Sequence, residues 1–243
     1  MASRDMTGRA QAAATTPILS EQARDMIRRD IIGAALLPGD KLQLESISER
    51  YGIGVNPVRE ALNQLVSEGW VDRRSQRGFF VKGMSLADLE SLVKTRIWLE
   101  TKALSESMLH ATEAWEEALV LSYHRLARTQ RLIEREGEET LNTDWEDRHT
   151  AFHMSLLSEC GSPWLLEFCA TMMDQSVRYR NLSVNFNRAR RGDAIAEHEQ
   201  ILNAVLDRDP AAATGLLERH YAETLEGLKA FLAADKAGEA FGI

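Results

Sequence analysis

The spacing of apolar and polar residues along the chain changes near Gly83. Before this glycine, short stretches with helical period are mixed with strand-like stretches and turns. The pattern predicts three helices and two strands there, over residues 21–33, about 45–51, 57–68, 70–74 and 78–82. Helix, short helix, tight turn, helix and hairpin is the element order of a winged helix-turn-helix. We therefore predict an N-terminal winged helix-turn-helix domain over residues 18–82.

After Gly83 the helical period continues almost without interruption and predicts an all-α helical bundle. Candidate caps and Ser-Pro or Asp-Pro steps divide this bundle into six or seven helices. The six that the period delimits lie over residues 85–110, 113–135, 143–159, 163–186, 194–207 and 210–234. The predicted fold class is mainly α, with a second domain over residues 85–235 and a flexible N-terminal arm over residues 1–17.

The composition is that of a globular chain, but the charge is unevenly distributed. Apolar residues make up 44% and charged residues 27%, which excludes a disordered, collagen-like or membrane-embedded chain. Taken alone, the formal net charge of -8 argues against a nucleic-acid partner. However, residues 1–82 hold 12 Lys and Arg against 10 Asp and Glu, whereas the remaining residues hold 17 against 27. Positive charge therefore collects in the domain whose element order is typical of DNA binding.

The N-terminus and the cysteines indicate the compartment. Residues 1–17 lack the apolar segment of a secretory signal, and no apolar run approaches the ~18 residues that cross a bilayer. Cys160 and Cys169 are too few for a disulfide framework and lack the spacing of a cysteine metal site. We expect a cytoplasmic, nucleoid-associated protein with reduced thiols and no membrane contact.

The third predicted helix carries candidate base-reading side chains near its start, because a recognition helix places its first turn in the major groove. Arg can form two hydrogen bonds with guanine, and Asn can do the same with adenine. The DNA-binding candidates are Asn56, Val58, Arg59 and Asn63 on this helix, and Arg73, Arg74 and Arg77 in the basic hairpin. Other roles stay open: Asn56 as a helix cap only, Arg59 as the partner of a nearby glutamate, and the hairpin as a solvated basic turn.

Several segments, in this order, resemble the GntR family of bacterial transcription regulators. In the first domain they are Leu37–Leu42, Pro57–Leu62, and Gly69–Val71 with the basic hairpin up to Gly78. The second domain resembles the FadR-type, or FCD, effector domain, through Arg96–Glu100, Phe152–His153, Glu197–His198 and Arg219–His220. The resemblance covers about residues 18–235. It implies a homodimer, repressor or activator, that binds a short palindromic operator in double-stranded DNA and responds to a small acid.

Two positions of the DNA-binding domain depart from the family pattern. Gly54-Val55 occupies the place of the usual Ser-Arg, so one common base-reading arginine is missing. Glu45 is acidic where some relatives have a second arginine. Arg59 remains as the main candidate for a base contact, and we expect an operator unlike those of arginine-rich relatives.

Four of the six histidines fall in three predicted helices. His149 and His153 are four residues apart and therefore share a helix face, and His198 and His220 lie in two later helices. Imidazoles that face one cavity of a bundle suit Zn²⁺, Ni²⁺ or Cu²⁺, although ordinary core or surface histidines are the alternative from spacing alone.

The resemblance adds that FCD domains typically hold a divalent metal with one aspartate and three histidines. His153, His198 and His220 match the three histidines, and His149 stands at the aspartate position. Two alternatives follow from this substitution. Either four nitrogens hold a borderline-soft metal, zinc first and nickel second, or the metal is absent and the histidines hold an anionic effector directly.

Arg96 and Tyr179 are the candidate effector-binding residues. Arg96 either pairs with Glu100 one helical turn away or clamps a carboxylate, and the resemblance favours the clamp. Tyr179 closes a stripe of helical spacing that is predicted to face inward, together with Phe168, Met172 and Gln175. Tyr179 is therefore either part of the core or of the cavity wall, or a hydrogen-bond partner of the effector.

Two segments, residues 148–153 and 160–166, resemble one branch of the family, which contains a glutarate-responsive carbon-starvation repressor of bacteria. This resemblance implies a short dicarboxylate such as glutarate as the first choice of effector, and an aromatic or hydroxy acid as the second. It also favours a repressor over an activator.

Two other functional classes compete with an acid-responsive regulator. A metal-dependent hydrolase needs an open metal position and a general base, but the segment His149–His153 supplies no carboxylate and four histidines would fill a tetrahedral site. No nucleophile elbow, P-loop or dinucleotide fingerprint is present in the sequence. We therefore predict no enzyme activity. A metal-responsive regulator, in which the cation itself is the signal, remains as the alternative.

Overall fold

The computed structural model describes residues 6–135, 137–181 and 193–234, with side chains described for residues 19–135, 137–181 and 194–230. The described part contains nine helices and five strands. The helices are α1 (Met6–Ile32), α2 (Leu44–Tyr51), α3 (Val55–Ser67), α4 (Leu86–Leu109), α5 (Glu113–Ala127), α6 (Thr143–Leu157), α7 (Pro163–Arg180), α8 (Asp193–Leu206) and α9 (Pro210–Ala234). The strands are β1 (Lys41–Leu42), β2 (Val71–Arg74), β3 (Gly78–Val81), β4 (Leu132–Arg135) and β5 (Glu138–Leu141).

The chain divides into two compact units, Met1–Met84 and Ser85–Ile243. In the first unit, α1 packs on α3, and the strands form an antiparallel sheet in the order β1-β3-β2. The hairpin register pairs Val71 with Val81, which places apolar residues from both strands on the core side. The two-residue strand β1 pairs with β3 and was not predicted from the sequence. The result is a small helical core closed by a three-stranded wing.

The helix α3 starts earlier than its sequence predicts. Its first residue is Val55 and its N-cap is Gly54, so Asn56 lies in the first turn and does not cap the helix. Val58 is fully buried in the core of the first unit, together with Leu62 and Leu65 one and two turns later. The expectation that Val58 contacts DNA is therefore wrong, because its side chain holds α3 against the rest of the unit.

In the described residues, the second unit contains helices α4 to α9 and one β-hairpin. Helix α4 packs on both α7 and α9, and α5 packs on α6. The side chains of Ser85, Ser162 and Asp209 accept hydrogen bonds from backbone N–H groups at the starts of α4, α7 and α9. These are the caps that the sequence suggests. Within the described residues, none of the helices combines the length and apolar character that a membrane span requires.

The hairpin β4-β5 is the main difference from the predicted all-α bundle. Helix α5 ends at Ala127, whereas the helical period predicts a helix to residue 135. Leu132 instead pairs with Leu141 across the hairpin. Gly137 occupies the turn with φ +84°, a left-handed conformation that glycine adopts without steric cost. Strand pairing therefore replaces helix over a segment whose apolar period alone fits either element.

Element ends differ in two further places. Helix α1 begins at Met6, ahead of the predicted start at residue 21, and includes most of the segment expected to be a flexible arm. Residues 1–5 of that arm lie outside the described residues, as do residues 182–186 of the predicted fourth bundle helix and the predicted domain end at residue 235.

Replacing Val58 with alanine is expected to lower the free energy of unfolding of the first unit by about 2 kcal/mol, because two buried methyl groups are lost and a cavity remains. Urea denaturation measures this change. Leu37→Ala is the control, since the Leu37 side chain is 47% exposed, and it should change stability by less than about 0.5 kcal/mol. Full stability of Val58→Ala combined with weaker DNA binding would show that Val58 contacts DNA after all.

Candidate functional site

A groove on the first unit brings together three of the seven predicted DNA-binding residues, and others lie exposed on the same helix or in the wing. Asn56, Arg59 and Asn63 are spaced by three and four residues, and all three are exposed on one face of α3. Arg59 lines a groove of about 800 Å³ together with Arg73 and Arg74 of the wing. The fold therefore brings the recognition helix and the wing to one cationic surface.

The wing arginines are positioned by aromatic side chains of β3. The guanidinium of Arg74 lies 4.3 Å from the ring centre of Phe80, and that of Arg73 lies 5.8 Å from the ring of Phe79. Such stacking leaves the N–H groups directed at a partner. Arg77 is exposed in the turn between the two strands.

Strand β1 and the residues after it add groups to this groove that the sequence analysis missed. Lys41 and Gln43 line it, and so does the acidic Glu45. Lys41 belongs to a two-residue strand, which is too short to produce a periodic pattern in the sequence. The groove thus combines cationic, amide and acidic groups, which suits recognition of a specific base pattern as well as phosphate.

The four histidines of the second unit converge on one buried cluster. His149 and His153 come from α6, His198 from α8 and His220 from α9. Their side chains each offer a ring nitrogen, and these nitrogens all lie within 4.8 Å of one another. All four residues are at most 5% exposed. The arrangement unites residues that are up to 71 positions apart, as the spacing of the histidines in a helical bundle predicts.

Three of the four imidazoles are oriented by hydrogen bonds at Nδ1. His198 Nδ1 is hydrogen-bonded to the carbonyl oxygen of Ala194, and His220 Nδ1 is hydrogen-bonded to a carboxylate oxygen of Glu197 at 2.6 Å. His153 Nδ1 lies 3.0 Å from the hydroxyl of Tyr221, which itself donates to Glu100. Each of these partners accepts a hydrogen bond from the Nδ1–H group. The neutral ring then carries its proton on Nδ1 and a lone pair on Nε2. Partners of this kind orient metal-binding histidines.

His149 is held differently from the other three. Its ring stacks on Trp145 at 4.7 Å with an interplanar angle of 18°. Its Nδ1 is buried and has no hydrogen-bond partner within the described part of the chain. A buried nitrogen without a partner costs free energy, and a bound cation would satisfy it. Among the nitrogens of the cluster, His149 Nδ1 therefore fits the role of a metal ligand most directly.

Burial favours the neutral form of three of the four histidines. Burial lowers the pKa values of His149, His153 and His198 well below 6.5, and the neighbouring histidines lower them further. His153 Nε2 and His198 Nε2 are only 3.1 Å apart, so two lone pairs face each other there. Two nitrogens of a tetrahedral zinc site are separated by about 3.3 Å. The donor set therefore fits a divalent cation such as zinc, and neutral imidazole is the form that binds it.

A buried polar network surrounds the cluster. Arg96 donates to Glu100 over 2.6 Å and to the Ser176 hydroxyl over 3.0 Å. Arg180 donates to the same hydroxyl over 2.8 Å and to Glu146 over 2.8 Å. The pair with Glu100, one of the two roles considered for Arg96, is therefore present. It is a buried ion pair with several further hydrogen bonds, in contrast to an exposed helix-surface pair.

A cavity lies between the network and the histidines. Its volume is only about 20 Å³, close to the space of one water molecule. Three guanidinium groups line it, those of Arg96, Arg131 and Arg180, beside His149 and His220. Of these three arginines, only Arg96 was predicted from the sequence. Arg180 directly follows Tyr179, the other predicted effector-binding residue, and Arg131 lies where a continuous helix was predicted.

Tyr179 does not face this cavity. Its hydroxyl donates to Asp88 over 2.6 Å, and its side chain is buried between α7 and the start of α4. The predicted inward stripe holds only in part, since Tyr179 is buried, whereas Phe168 is 56% exposed and the inward face of α7 also runs through Cys169 and Met173. Tyr179 is therefore a core residue, as one of the predicted alternatives has it. Its other predicted roles, in the cavity wall or as a hydrogen-bond partner of the effector, do not fit this position.

The two cysteines are buried thiols. Cys160 and Cys169 are both free, and burial raises the pKa of Cys169 to about 12. A thiol of such high pKa carries almost no thiolate at neutral pH and is a poor nucleophile or metal ligand.

Comparison with known proteins gives the family. Residues 19–81 match the family described as "Bacterial regulatory proteins, gntR family", and residues 91–223 match the "FCD domain". The chain is 36% identical over 213 residues to the HTH-type transcriptional regulator BphR of Paraburkholderia xenovorans, which covers 88% of this chain and 86% of that protein. It is 31% identical over 201 residues to the HTH-type transcriptional repressor GlaR of Escherichia coli, covering 80% and 88%.

The solved structures agree at the level of the fold. Escherichia coli McbR/YncC superposes with a TM-score of 0.69 at 20% identity, over 87% of this chain and 97% of that one. A GntR regulator from Rhodococcus sp. RHA1 superposes with a TM-score of 0.67 at 20% identity, over the same shares of the two chains. The winged helix-turn-helix and the helical second domain are thus the expected pair of domains, and the relatives named here are regulators of transcription. The chain belongs to the GntR family of bacterial transcriptional regulators and carries an FCD domain.

Proposed function

We propose that this regulator is a repressor that binds a short palindromic operator as a homodimer and leaves it when a small carboxylate binds at a four-histidine metal centre. The observation that carries the proposal is the convergence of four buried imidazoles, three of which are oriented through Nδ1. DNA binding itself follows from the family.

The metal centre would be held by His149, His153, His198 and His220. Nitrogen donors without a carboxylate favour zinc first and nickel second. A bound dication supplies a Lewis-acidic position for a carboxylate oxygen. The residues of this chain contribute the orientation of the rings, the exclusion of water and the cationic surroundings.

The effector class follows from charge. A dication in a cavity lined by Arg96, Arg131 and Arg180 leaves positive charge near the histidines, although Glu100 and Glu146 pair with two of the arginines. An anion that reaches both the metal and a guanidinium would balance this charge with strong hydrogen bonds. A short linear dicarboxylate such as glutarate is the first candidate, and an aromatic or hydroxy acid is the second. Kinship with the repressor GlaR supports repression as the mode of control.

The homodimer is supported by an exposed apolar face on α4 and α7. Contacts between Asp88 and Tyr179 and between Arg96 and Ser176 show that these two helices run antiparallel, so the end of α4 lies beside the start of α7. Large apolar side chains are exposed there by 56–73%: Trp98, Leu109, Trp164 and Phe168. Exposed aromatic patches of this kind mark protein interfaces. A second copy of the chain would cover it and pair two recognition helices for a palindrome.

A metal-responsive regulator is the second candidate. It is favoured by the small volume of the cavity beside the histidines, about 20 Å³, which accommodates a metal ligand of one or two atoms and no organic acid in the form described. The two candidates differ in which ligand changes the affinity for DNA.

Arg59→Ala is expected to weaken specific operator binding by about 1–3 kcal/mol and to relax the base preference at one position per half-site, because a bidentate base contact is lost. Fluorescence anisotropy with operator variants at fixed salt measures both effects. Arg24→Ala removes an equal charge outside the groove and serves as the control. Unchanged affinity and preference in Arg59→Ala would exclude this base contact.

His198→Ala is expected to abolish tight zinc binding while leaving operator binding of the effector-free protein intact, because the lost ring belongs only to the second unit. Metal content after dialysis and operator release by a dicarboxylate are the two measurements. The exposed histidine variant His110→Ala should retain both metal and response. Zinc removal that shifts operator affinity in wild type, with no response to any acid, would favour the metal-responsive alternative.

Trp164→Asp is expected to convert the dimer to a monomer and to reduce operator affinity at least about tenfold, because a charge would replace a large apolar contact at the interface. Sedimentation velocity gives the oligomeric state. Val120→Asp, on an exposed position of α5, is the matched control. A dimeric Trp164→Asp protein would place the interface elsewhere.

A further inference from the structure

A second, larger cavity adjoins the small one beside the histidines. Its volume is about 380 Å³, and it is formed by the end of α5, the segment before β4, the β4-β5 hairpin and the start of α8. Sites of a few hundred Å³ hold small organic ligands, whereas the inner cavity of about 20 Å³ holds no more than a water molecule. The space for an organic effector therefore lies in the outer cavity, and the histidine nitrogens lie in the inner one.

Three residues line both cavities and form the wall between them: Arg131, Trp145 and Ala194. The Arg131 guanidinium lies 4.5 Å from the centre of the Trp145 ring, and this ring stacks on His149. The carbonyl of Ala194 holds Nδ1 of His198. Trp145 and Ala194 thus contact the histidine cluster directly, and Arg131 contacts it through Trp145.

Hydrogen bonds to Asn142 hold the backbone of the wall next to α6. Asn142 caps α6 through Asp144, and its own N–H donates to the carbonyl of Arg131 over 3.0 Å. The Asn142 side chain also donates to the carbonyl of Gln130 over 2.6 Å. These bonds tie the segment before β4 to α6. Rotation of the Arg131 side chain off the Trp145 ring would join the two cavities without breaking any of them.

We propose that Arg131 is both the gate and the distal-carboxylate ligand of this site. On the proposed function, one carboxylate of a linear dicarboxylate enters the inner cavity towards the histidines, while its other carboxylate stays in the outer cavity and draws the Arg131 guanidinium off Trp145. A guanidinium binds a carboxylate through two parallel, charge-assisted hydrogen bonds. Arg131 thereby selects dicarboxylates over monocarboxylates of the same length.

The test compares two series of probes on the zinc-loaded full-length protein. Linear dicarboxylates of four to six carbons and the monocarboxylates of the same chain lengths are titrated by calorimetry into wild type, Arg131→Gln, Arg131→Lys and Arg125→Gln. Arg125 is an exposed residue of α5 that lines neither cavity, so Arg125→Gln is the matched control. Zinc content of each variant verifies that the histidine cluster has formed.

Arg131→Gln is expected to lose at least about tenfold in affinity for the preferred dicarboxylate and to change monocarboxylate binding by less than about twofold. Arg131→Lys should fall between this variant and wild type, since lysine keeps the charge without the planar fork. Arg125→Gln should behave as wild type.

Two outcomes overturn the inference while leaving the proposed function in place. One is dicarboxylate binding by Arg131→Gln at the affinity of wild type. The other is an equal loss for mono- and dicarboxylates, which would make Arg131 a structural part of the inner site. Absence of binding of either series to zinc-loaded wild type is a different result, since it overturns the proposed effector class and this inference with it.

Discussion

The burial of polar groups inside a helical unit is the constraint on which the second domain depends. Four imidazoles and two Arg–Glu pairs lie among apolar side chains, and each would destabilise the fold without partners. The chain satisfies them through one continuous network, in which Ser176 accepts from both Arg96 and Arg180, and Tyr221 connects Glu100 to His153. Within the described residues, His149 Nδ1 is a buried nitrogen of this region without a hydrogen-bond partner, and a further ligand could bind there.

The first domain has a different requirement, since the surface formed by the recognition helix and the wing must stay exposed and cationic to bind DNA. The apolar residues of α3 face inward and hold the helix, which leaves Asn56, Arg59 and Asn63 on the opposite side. Phe79 and Phe80 contribute in the same way in the wing, where their rings support the arginines of the neighbouring strand. The acidic balance of the whole chain is therefore compatible with DNA binding, because the charges of the two domains serve separate purposes.

Periodicity and caps predicted the order of the described helices in both domains, and the spacing of histidines predicted the cluster, whereas β1 and the β4-β5 hairpin were missed. The errors have physical causes. Val58 was assigned to DNA because it lies near the start of the recognition helix, although it points about 100° away from its neighbour Arg59. Tyr179 is buried, but its hydroxyl pairs with Asp88, and the next residue, Arg180, lines the cavity. The segment around Arg131 was predicted as helix because local period does not report strand pairing with residues 138–141.

The hydrogen bond between Tyr179 and Asp88 has a mechanical consequence. Helix α7 carries Arg180 and Ser176 in the polar network and, on the residue next to Arg180, the hydroxyl that holds the first turn of α4. A rigid helix cannot slide at one of these points without moving at the other. Helix α4 starts at Leu86, two residues after the first unit ends at Met84. If α7 shifted at the polar network, the start of α4 would shift with it, next to the covalent junction between the two units.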